Sequence, residues 1–252
     1  MKEKNNSFVF FTGLSSLVEA CKYWRVSVVI LLFTIIGIKL FQQPVLQETL
    51  TQAILTIVAT SFIIALGVTI GIYTILKMDL IQSQPRNELL SRASLFNQSI
   101  WSAFKEMYFL GKPLFIFWVG ITIILLASNI VEFVVIRSIL MVIFLVYLFP
   151  LASFMINKRI TGSLDKSYKG FSKFILVNLL STIISYFFAF LISVVFIVFL
   201  VTLALSNEQQ NLAFAFNFIL IPIFVTIYFV YLQVAFQQIY NQTLVISTKN
   251  YE

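Results

Sequence analysis

The polar residues best placed to do chemistry in this chain are neutral and periodic. Asn178, Ser181, Thr182 and Ser185 recur at i, i+3, i+4 and i+7, and Gln233, Gln237 and Asn241 at i, i+4 and i+8, so each set falls on one face of a helix. Carboxamides and hydroxyls donate and accept hydrogen bonds without ionising near neutral pH, which suits them to bridging helices or holding a polar ligand. Two uses are open. The stripes can join helices through hydrogen bonds, each worth about 0.6 kcal/mol on average in lipid. Alternatively they can line a polar cavity open to the cytoplasm, with Ser153 and Thr74 as further contributors.

Residues for harder chemistry are missing. The chain has no histidine and a single cysteine, Cys21, so an intramolecular disulfide is excluded and the usual zinc and haem ligand sets are not assembled. There is no Gly-x-Ser-x-Gly turn for a serine nucleophile and no Gly-x-x-x-x-Gly-Lys-Ser/Thr loop for a nucleotide. Any ATP-driven activity would therefore draw on a separate ATPase subunit. Paired carboxylates spaced for acid–base work are also absent. Glu132 and Arg137 sit in or beside a tight connection and neutralise each other there, while Lys77 and Asp79 flank the end of an apolar run. The expectation is a chain with no catalytic residues, no cofactor and no metal.

The elements that carry these stripes follow from composition. Of 252 residues, 60% are hydrophobic and only 11% charged, with a mean hydropathy of +0.98. That leaves too few charges to cover a water-facing surface and excludes a soluble globular domain, a disordered chain and a nucleic-acid-binding domain. A membrane span needs about 20 apolar residues. Six such segments can be read, at about 23–41, 53–76, 113–128, 136–156, 174–205 and 214–237. Short connections follow the first, third and fifth, whereas the two longer, basic connections follow the second and fourth. The expected fold is all-α: a single integral membrane domain of six transmembrane helices in three sequential hairpins, with interfacial amphipathic helices.

Charge placement sets the orientation. All the lysines and arginines except Lys39 and Arg137 fall on one side of this arrangement. Positive residues collect on the cytoplasmic side, which puts both termini there and assigns the formal charge of +7 to that face. Two segments of that side look interfacial. Residues 87–110 place Leu89, Leu90, Ala93, Phe96, Ile100, Trp101, Phe104 and Tyr108 at helical spacing, with Trp101 as an anchor at the headgroups; residues 8–24 have the same character. Gly67 and Gly71 make a small-x-x-x-small pair in the second span, extended toward Thr60 and Thr74. This favours close packing against another helix of the same chain over a homodimer face.

Ser102-Ala103-Phe104-Lys105, Lys112-Pro113-Leu114-Phe115-Ile116, Pro150, Asn157-Lys158-Arg159 and Leu164 to Tyr168, in this order of spans, give the chain a family likeness. It resembles the YciC-type family of uncharacterised bacterial inner-membrane proteins, although the connection between the third and fourth spans lacks a Pro-Gly pair. The resemblance implies a multi-pass protein of a bacterial inner membrane and supplies no activity or site. The leading expectation is a non-enzymatic accessory or structural protein of the cell envelope. Its partners would be the lipid bilayer and another membrane protein, not nucleic acid. A transporter or permease-like subunit using the polar stripes is the alternative, and an immunity protein against a membrane-active peptide is a further one.

Overall fold

Thr49 and Gln52 start the longest helix by exchanging hydrogen bonds. The Thr49 hydroxyl accepts from the Gln52 backbone N–H at 3.2 Å, and the Gln52 side-chain oxygen accepts from the Thr49 backbone N–H at 3.0 Å. Two donors that the first helical turn would leave orphaned are satisfied by this reciprocal pair. The helix then runs from Leu50 to Gln82.

The computed structural model describes residues 18–41, 49–83, 90–130, 136, 139–140, 143–161, 226, 229–234 and 236–237. Among them every regular element is helical: α1 (Trp24–Phe41), α2 (Leu50–Gln82), α3 (Arg92–Lys105), α4 (Gly111–Ile130) and α5 (Phe149–Thr161). Three helical stretches, Val18–Leu40, Leu50–Gln82 and Met107–Leu126, are long and apolar enough to cross a membrane. The fifth predicted span lies outside the described residues, as does most of the sixth. The chain divides into two compact units, Arg25–Asp165 and Met1–Trp24 with Lys166–Glu252.

Within Arg25–Asp165 the organising element is α2. Residues 67 to 76 are all buried, and ten successive positions go right round the helix. A helix apolar and buried on every side belongs at the centre of a bundle. On one side lies α1. A methyl group added at Gly67 would stand 2.5 Å from Phe33 Cβ, and one at Gly71 2.6 Å from Ile30 Cδ1. Gly37 of α1 answers from across the seam, close to Ile64, and its carbonyl accepts from the Thr60 hydroxyl at 3.2 Å. Small residues here let two backbones approach, so that dispersion and one hydrogen bond hold them.

A second seam joins α2 to α4. The Trp118 indole N–H donates to the Val58 carbonyl at 3.0 Å, the Ser61 and Thr122 hydroxyls meet at 2.6 Å, and Phe62 packs edge-on to Trp118. On α5 the constraint is Pro150. Proline has no N–H to offer the carbonyl four residues back, and its ring crowds that carbonyl. The chain widens into a π turn over Phe144–Leu148, where the Phe149 N–H donates to the Phe144 carbonyl. Gly120 of α4 makes room for the Phe144 ring, which occupies the space a β-carbon would need.

Two expected boundaries shift. The second span, expected to end at 76, continues as helix to Gln82 because residues 77–82 contain no Gly or Pro and Met78 is buried. The helix ends at Ser83, two residues before Pro85. The single amphipathic helix expected over 87–110 is instead broken. α3 begins with Ser91 as its N-cap and stops at Lys105; a 3-10 turn, Met107–Leu110, then swings the chain into α4.

The two glycines of the α1–α2 seam should differ in sensitivity. Gly67→Ala drives a methyl into Phe33 Cβ, which cannot rotate away, and should lower the stability of the detergent-solubilised protein by about 1–3 kcal/mol. Gly71→Ala meets the end of a flexible isoleucine and should cost less than half of that. Thermal unfolding of the two variants side by side checks the order.

Candidate functional site

Most hydroxyls in the bundle are spoken for locally. Those of Thr34, Thr56, Thr69 and Thr74 each donate to the carbonyl four residues earlier, at 2.7 to 2.9 Å. Helical threonine makes this bond easily, and it removes the cost of burying the group. The exceptions are therefore informative. The Tyr73 hydroxyl on α2, Ser99 Oγ on α3 and Ser153 Oγ on α5 are buried without a hydrogen bond. α3 and α5 both pack on α2, so three unpaired hydroxyls lie on one helix and its two neighbours. Each such group costs roughly 1–3 kcal/mol if left dry, and such sites are where proteins hold water or a polar ligand.

Two charged groups act on the Tyr73 hydroxyl, Glu106 at the end of α3 and Arg159 in the last turn of α5. The carboxylate lies beside the hydroxyl without reaching good hydrogen-bond geometry. Arg159 lies over the Phe109 ring, with the guanidinium carbon 4.1 Å from its centroid. The C-terminal end of α2, the C-terminal end of α5, α3 and the start of α4 thus meet at one end of the unit. Ser99 Oγ and Ser153 Oγ have no hydrogen-bond partner among the described residues, and each hydroxyl can both donate to and accept from a polar group.

The face of α3 that touches the protein lies outside the apolar stripe expected at the headgroup layer. Leu95, Ser99 and Ala103, at i, i+4 and i+8, are the buried residues. Two of the three are small, which lets α3 lie close to α2. Trp101 and Phe104 are exposed, at 67% and 48%, and the turn adds Tyr108 at 90% and Phe109 at 55%. The interfacial segment thus has two apolar faces, one on the bundle and one outward.

In the unit containing the sixth predicted span, residues 229–234 form a continuously buried helical run. Gln233 is fully buried there, and both its amide oxygen and its amide nitrogen lack a hydrogen-bond partner. Gln237 is half-buried. Asn178, Ser181, Thr182, Ser185 and Asn241 lie outside the described residues. Of the contributors expected nearby, Thr74 satisfies itself on its own helix, whereas Ser153 remains unpaired. Gly67 and Gly71 sit on the α1–α2 seam. Tyr73, Ser99 and the approach of Glu106 to Tyr73 were not anticipated; a lone tyrosine in the apolar run 62–76 was the available signal. Among the described residues, no three acidic or cysteine side chains come together as a metal would require.

No family model, no curated protein and no solved structure matches this chain.

Replacing an unpaired buried polar group by an apolar one of similar shape relieves its desolvation cost. Gln233→Met should raise the unfolding temperature of the purified full-length protein, by the equivalent of about 1–3 kcal/mol, and Tyr73→Phe should leave it unchanged or slightly raised. A loss of stability in either would reveal a bound partner for that group.

Proposed function

We propose that this chain is a multi-pass protein of a bacterial inner membrane, with six spans in three hairpins and both termini in the cytoplasm. Its role is non-enzymatic, as an accessory or structural component of the envelope that works through lipid or another membrane component. The YciC-type resemblance points the same way. One observation carries the reading. Beside helices of membrane-crossing length, the elbow from α3 to α4 turns Trp101, Phe104, Tyr108 and Phe109 outward instead of into the bundle. Aromatic side chains exposed at the end of an apolar bundle suit the headgroup layer, where one end of the ring is wet and the other is not. The excess of lysine and arginine in the segments containing this elbow supports placing it at the cytoplasmic leaflet.

Gln233 favours a second reading. A fully buried, unpaired carboxamide in a run of apolar residues is costly to keep and is what a substrate pathway retains. A permease-like subunit, energised by a separate ATPase, would use it; co-purification of an ATPase from native membranes favours that alternative.

Orientation is testable with single cysteines. In a Cys21→Ser background, Ser83→Cys and Ser163→Cys should react with a membrane-impermeant maleimide only after cells are opened. Ser206→Cys should react in intact cells. The reverse pattern would contradict the proposed topology.

A further inference from the structure

The elbow carries more than aromatic side chains. Lys105 ends α3, Lys112 lies in the first turn of α4, and Arg159 reaches over from α5 onto Phe109 between them. All three cations are exposed, and none has an acidic partner among the described residues. The one acid of this stretch, Glu106, lies beside the buried Tyr73 hydroxyl and offsets at most one of the three charges. Three exposed cations against one carboxylate thus give a net positive elbow around the pair Tyr108 and Phe109, whose rings meet edge to face at 5.6 Å.

We infer that this elbow is a binding site for the headgroup of an anionic phospholipid. Arg159 supplies the phosphate contact. Contact with the Phe109 ring holds the guanidinium at the elbow, and its planar fork of N–H donors matches phosphate oxygens in pairs. Lys105 and Lys112 add charge on either side, and neither needs a fixed geometry to act. Tyr108, Phe109 and Trp101 enter the interfacial layer beside the acyl chains. A zwitterionic lipid would satisfy the aromatic surface but leave the net positive charge of the elbow unneutralised, so charge complementarity selects the anionic class. A soluble acidic partner would neutralise the cations while leaving four large apolar side chains in water, which disfavours it.

This inference rests on the membrane reading, and the two can fail separately. The full-length protein is reconstituted in nanodiscs containing equal amounts of phosphatidylglycerol and phosphatidylcholine, released in mild detergent, and its retained lipids are counted by native mass spectrometry. Phosphatidylglycerol should be retained over phosphatidylcholine by about tenfold, the scale expected of one or two basic side chains at an anionic headgroup. Lys105→Gln/Lys112→Gln/Arg159→Gln should abolish the preference while still reconstituting. Arg159→Lys, which keeps the charge and loses the planar fork, should retain an intermediate preference. Equal retention of the two lipids by the unaltered protein, or a preference that survives the triple substitution, would overturn the headgroup site and leave the membrane reading standing. A protein that enters no lipid disc would overturn both.

Discussion

The centre of α2 has no free face, and the rest of the Arg25–Asp165 unit is arranged to satisfy that constraint. A helix of 33 residues is about 50 Å long at 1.5 Å per residue, well beyond the roughly 30 Å of a bilayer core. Its middle is covered by other helices, and α3 packs on it as well. Each neighbour meets it by a different physical means. α1 approaches over glycine, with one cross-helix hydrogen bond from Thr60 to Gly37. α4 contributes an indole and a hydroxyl to polar groups of α2 that side-chain packing alone would leave dry. α3 lies down on it through Ser99 and Ala103, residues too small to hold it away.

That arrangement explains why the elbow after α3 faces outward. With Leu95, Ser99 and Ala103 committed to the bundle, Trp101 and Phe104 are rotated away from it. The break at Glu106 then resets the chain direction over four residues before α4 starts, and Tyr108 and Phe109 emerge on the turn. A continuous helix would have carried Tyr108 round on the same stripe as Trp101 and Phe104. The break also lets the Glu106 carboxylate lie beside Tyr73, joining the buried hydroxyls to the charged rim.

Much of the helical content was legible because it depends on long apolar runs, which the sequence displays without reference to neighbours. α1, α2 and α4 coincide in substance with the first three predicted spans. The glycine pair at 67 and 71 was visible too, since only spacing is needed to see it. What escaped detection depends on partners. Apolar periodicity in 87–110 picks out the greasiest stripe, Trp101 with Phe104 and Tyr108. That stripe was expected at the headgroups; the one that packs on the bundle, Leu95, Ser99 and Ala103, went unread because close packing rewards small size as well as hydrophobicity. The unpaired state of Tyr73, Ser99, Ser153 and Gln233 was equally hidden. Thr74 and Ser153 look alike in sequence, yet one hydroxyl bonds its own helix and the other does not. The stripe from Asn178 to Ser185 lies outside the described residues.

The central claim is that α2 is the shared core of the bundle, enclosed by α1, α3, α4 and α5. The most direct measurement is disulfide formation in native membranes between cysteines at Ser61 and Thr122, with Cys21 replaced by serine. Their hydroxyl oxygens are 2.6 Å apart, so Ser61→Cys/Thr122→Cys should cross-link within the monomer under mild oxidation. A control pair at Leu55 and Ile123, both exposed, should remain reduced. Cross-linking of the control in preference to the Ser61–Thr122 pair would contradict the packing of α4 on α2, and with it the enclosed core on which the account depends.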